Sequence, residues 1–86
     1  MPELFRFYGF LFYFYSREHE PIHVHVEGSG GLAIFDYDES MDEFVIREKR
    51  NIKSNDLKRI REVIDNNKDI IVNRWKEYFK KHDRNC

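Results

Sequence analysis

The chain has 86 residues and is 41% hydrophobic, 36% charged and 16% aromatic, with a net charge of −1. That length supports one modest core and excludes a separate second one, and the aromatic content excludes a chain disordered throughout. The longest apolar run, residues 7–15, is about half of the ~20 residues a membrane-spanning helix needs, and the lone Cys86 excludes an internal disulfide framework.

The charge is unevenly spread. Residues 1–43 hold two basic and nine acidic side chains, and residues 44–86 hold thirteen basic and seven acidic, balances of −7 and +6. A basic half can form a binding face. Mixed Lys, Arg, Glu and Asp on helices equally describe an ordinary solvated surface.

Residues 4–15 are rich in strand-favouring aromatics, and Gly9 within them predicts a bulge, kink or tight turn. Residues 16–21 are polar and end in Pro21, which reads as a loop. Residues 22–27 alternate strictly, with Ile22, Val24 and Val26 on one face and His23, His25 and Glu27 on the other. That is the pattern of a half-buried strand. Gly28, Ser29, Gly30 and Gly31 predict a turn into another strand over 32–37, and an acidic turn then leads to a further strand over 43–48. The period then changes. Ser54 is the expected N-cap and Asp56 complements the helix dipole, with Leu57, Ile60, Val63 and Ile64 as the apolar stripe. Asn66 and Asn67 interrupt it, and a second helix is expected over 68–82 with Ile71, Trp75, Tyr78 and Phe79 on one face. The expected fold is a single α+β domain over 1–86: an antiparallel sheet of three or four strands followed by two C-terminal helices packed on one face.

Three of the four histidines fall within seven residues: His19, His23 and His25. Same-face residues on a strand are ~6.6–6.8 Å apart, so His23, His25 and Glu27 form a row, with His19 on the preceding loop. Three readings stay open. Two histidines with a carboxylate or a third histidine can supply zinc ligands. Two imidazoles of pKa near ~6.5 can instead act as acid and base on an RNA 2′-hydroxyl and its leaving oxygen, with Arg6, Arg17 or Arg47 holding the phosphate. The third reading is a stacked structural row or a partner-recognition surface. His82 is read as a complement to a helix C-terminus and Trp75 as a core anchor. No phosphate-cradling glycine loop or nucleophile elbow is present.

Arg6-Phe7-Tyr8-Gly9, the segment Glu18-His19-Glu20-Pro21-Ile22-His23-Val24-His25-Val26, and Asn73-Arg74-Trp75 together resemble the small prokaryotic family known as domain of unknown function 4160. The likeness covers nearly the whole chain. Ile22 stands where a second proline is common and Val24 where phenylalanine is common, and Arg74 separates Asn73 from Trp75. The resemblance implies one half of a two-gene toxin–antitoxin-like pair. A toxin member would act on RNA, with His23 and His25 as acid and base, His19 or Glu27 orienting one of them, and Arg6 or Arg17 binding phosphate. An antitoxin-like or regulatory member would need only a surface for its small partner protein. A cytoplasmic protein without a cofactor is expected, outside any membrane, and an exposed sheet edge could pair two copies.

Overall fold

The computed structural model describes residues 3–14 and 22–83. Among these described residues five strands precede two helices: β1 (Glu3–Phe7), β2 (Phe10–Tyr13), β3 (His23–Gly28), β4 (Gly31–Asp38), β5 (Glu43–Arg50), α1 (Ser54–Asn66) and α2 (Lys68–Asp83). The strands form one antiparallel sheet in the order β1-β2-β3-β4-β5. No helix among the described residues is long and apolar enough to cross a membrane. The loop expected over 16–21 lies outside the described residues.

The expectation of three or four strands is corrected to five. Of the bulge, kink or tight turn expected at Gly9, the structure has the tight turn, and it closes a hairpin that splits the aromatic run into two strands. Tyr8 and Gly9 have φ of 53° and 80°, and Ser29 and Gly30 repeat the geometry at 52° and 75°. Two central residues at positive φ make the two-residue turn whose twist suits a hairpin, and glycine enters that region without steric cost. The pairs Phe7↔Phe10 and Gly28↔Gly31 flank the two turns. A bulky Tyr8 at positive φ is rare, so the first turn carries no Asn-Gly-type signal.

Ser54 is not the N-cap. Lys53 holds that position with extended backbone and no side-chain cap bond, and its carbonyl accepts from the Leu57 N–H at 2.9 Å. Asp56 does lie in the first turn. At the other end of α1 the Asn67 N–H reaches the carbonyls of Val63 and Ile64, and its Nδ2 donates to Val63 at 2.7 Å.

One apolar core joins sheet and helices. Phe12, Val24, Val26 and Ala33 are fully buried, together with Phe35, Ile60, Ile64, Ile71 and Trp75. Burial of each valine, isoleucine and phenylalanine among them contributes about 1.5–3 kcal/mol. Lys68, at the start of α2, donates to the Asp42 carbonyl at 2.9 Å, and Arg74 donates to the Leu4 carbonyl at 3.2 Å. The helix therefore crosses one end of the sheet, from the β4–β5 turn to β1.

That turn is held by side chains. Asp38 accepts from the Ser40 hydroxyl at 2.6 Å and the Ser40 N–H at 2.9 Å, and the hydroxyl bond lowers its pKa. The Tyr37 hydroxyl donates to Asp42 at 2.5 Å, and Lys68 reaches the same carboxylate at 3.1 Å. The bond to Asp42 pushes the Tyr37 phenol up to about 12 and lowers the Asp42 carboxyl.

Candidate functional site

β3 is central in the sheet, so both of its faces are available for packing. Val24 and Val26 alternate into the helix-covered core. His23 and His25 project to the other face, since alternate residues of a strand point to opposite sides. That face carries the cross-strand partners of the histidines. His25 pairs with Tyr13 on one side and Ile34 on the other, and His23 pairs with Asp36.

The two imidazoles are buried, each only 4% exposed. The Tyr13 ring stacks on His25 with centroids 5.3 Å apart and an 18° tilt, and His25 meets His23 edge-on at 5.3 Å. Trp75 of α2 closes on His23 at 5.2 Å and on Phe14 at 5.2 Å. Buried polar atoms must find hydrogen-bond partners, and among the described residues no buried side-chain nitrogen or oxygen lacks one. The row is a packed aromatic and imidazole layer.

A bulge brings charge to it. Ile34 pairs with Glu48 but Phe35 with Ile46, so Arg47 is an extra residue in β5. A bulge re-aims side chains, and Arg47 turns onto Asp36 with bonds of 2.6, 2.9 and 3.1 Å. Glu48 then pairs with Arg50 at 2.5 Å.

The structure brings together His23 and His25 from the expected set, and among the described residues it sets Glu27 and Arg6 apart from them. Glu27 is exposed, and its row is Leu11, Glu27, Leu32 and Arg50, at the far end of the strand. Among the described residues it makes no hydrogen bond to either imidazole. Arg6 is paired with Glu3 at 2.7 Å on the outermost strand and is 73% exposed, in the row of Leu11 and Glu27 rather than that of the histidines. His19 and Arg17 lie outside the described residues. Tyr13, Asp36 and Trp75 are the neighbours that sequence reading did not place there. Only strand register and the path of α2 put them beside the histidines. Among the described residues no three of His, Cys, Asp and Glu converge as metal ligands, so a zinc site on this strand needs a ligand from elsewhere, such as His19.

The profile of the family described as Domain of unknown function (DUF4160) matches residues 9–76. The chain belongs to that family. No curated protein and no solved structure matches it.

Proposed function

We propose that this protein is a non-enzymatic binding component of a toxin–antitoxin-like pair. The observation that carries the reading is the burial of His23 and His25 between Tyr13 and Trp75. A general acid and base must reach the atoms they protonate, and imidazoles closed into a ring stack serve packing first. The partner is a small protein, and the exposed surfaces of the sheet and helices meet it. Co-purification of the tagged chain with the neighbouring gene product, followed by calorimetric titration, tests this. A stable complex without turnover is expected; the absence of any binding would sink the reading.

RNA cleavage is the second reading, and one observation favours it. The two imidazoles lie within 5.3 Å of each other, and Arg47 reaches Asp36, the cross-strand partner of His23. Opening of that layer would present an acid, a base and a cation together. Growth after induction separates the readings. Arrest by wild type that disappears in a folded His23→Ala/His25→Ala variant favours cleavage; no arrest with either favours the binding component.

A further inference from the structure

We propose that the groove between β5 and α1 receives an acidic, partly apolar segment of a partner protein. The groove measures about 230 Å³ and is lined by Ile46, Arg47, Glu48, Lys49, Leu57 and Arg61. Its floor is apolar: Ile46 and Leu57 are half-buried and rest on the core. The volume suits one or two aliphatic side chains, not a whole helix.

The charge on its walls argues for the sign of the occupant. Three cations near the groove are paired within the fold: Arg47 with Asp36, Arg50 with Glu48 and Lys68 with Asp42. Among the described residues Lys49 and Arg61 enter no ion pair. Both are exposed, and the Arg61 guanidinium lies 5.9 Å from the Phe35 ring centroid. Glu43 and Asp65 border the recess on the other side of Arg61. An incoming carboxylate is therefore favoured at the Lys49 end and repelled at the Glu43 end, which gives the groove a direction. Guanidinium and ammonium groups beside an apolar floor recognise a carboxylate next to an aliphatic residue. A single-stranded nucleic acid would use the cations but prefer aromatic faces to Ile46 and Leu57.

This inference rests on the binding reading only in taking the partner to be a protein. The test is amide chemical-shift mapping of the full chain with a blocked five-residue peptide, Asp-Leu-Glu-Ile-Asp, and a control carrying lysine at each acidic position. Shifts are expected at Ile46, Lys49, Leu57 and Arg61 with the acidic peptide, weakened by salt, and none with the control. The exposed double variant Lys49→Glu/Arg61→Glu should keep the wild-type fold by circular dichroism and bind at least about tenfold more weakly. Three results would overturn the proposal: shifts elsewhere, equal binding of the lysine peptide, or an oligouridylate that binds these amides more tightly than the acidic peptide. Co-purification separates it from the parent reading. A neighbouring gene product still held by the folded double variant overturns the groove and leaves the binding component intact. No complex with wild type, beside intact peptide mapping, overturns the binding component alone.

Discussion

The two faces of β3 exclude water equally well by different chemistry. Val24 and Val26 are buried by dispersion and apolar contact against the helices. His23 and His25 are buried in a row of rings between Tyr13 and Trp75, and no fully buried side-chain nitrogen among the described residues lacks a partner. The first face tolerates any apolar group of similar volume. The second requires planar rings and hydrogen-bond partners together, so it is the more specific and the more easily damaged by a change of shape. A strand with alternating polarity is therefore not always half-exposed. A central position in the sheet and a helix crossing its end can bury the polar side too.

Trp75 serves both faces, so its removal gives the largest effect. Trp75→Ala should cost about 3–5 kcal/mol, read from urea unfolding; a loss comparable to that of a surface substitution would show that α2 contributes little to either face. His25→Ala follows, at roughly 2 kcal/mol from the lost stack and the orphaned partner atom. His25→Phe keeps the ring but loses the nitrogens, so it should recover only part of that stability. Full recovery would show the imidazole nitrogens to be dispensable. Next comes the turn that aligns β3 with β4. Gly30→Val places a β-branched residue at φ of 75°, and a cost above ~1 kcal/mol is expected. Arg47→Ala removes a bidentate but half-exposed pair with Asp36, and thermal melts should show about 0.5–1 kcal/mol. A larger cost would mean that the cation supports the histidine layer directly.

The smallest effect at neutral pH lies at the β4–β5 turn. Tyr37 is pushed up to about 12 from 10.0 by its bond to Asp42. A raised native pKa contributes stability that is complete below pH ~10 and is lost as the pH climbs toward ~12. Tyr37→Phe should therefore remove one late-ionising phenol from the tyrosinate absorbance titration, and with it that alkaline slope. Asp42 acts with the opposite sign. Its lowered carboxyl stabilises the fold above its ordinary range and is lost as the pH falls below it.

Strand alternation at 22–27, the glycine turn after it, the helical stripe of α1 and the Asn66–Asn67 break are all local patterns, and each is matched in the fold. The aromatic N-terminal run misled because Tyr8 occupies a backbone region that normally calls for Asn, Asp or Gly. Ser54 misled because a good capping residue one position inside the helix looks the same in sequence as one at its boundary. The histidine pair was visible as a shared face, since the two-residue period of a strand needs no partner to define it.

What the histidines face was not visible, because it depends on register. Tyr13 beside His25 and Asp36 beside His23 are set by hydrogen-bond pairing across three strands. The approach of Arg47 depends on one extra residue in β5, and the closure by Trp75 on where α2 crosses the sheet. The sequence by itself determined the α+β class, the polarity of β3 and the unequal charge of the two halves, because each follows from neighbouring residues. Burial of the histidines, and the lack of an ion pair at Lys49 and Arg61 among the described residues, come from the tertiary structure, because both depend on contacts between residues far apart in the chain.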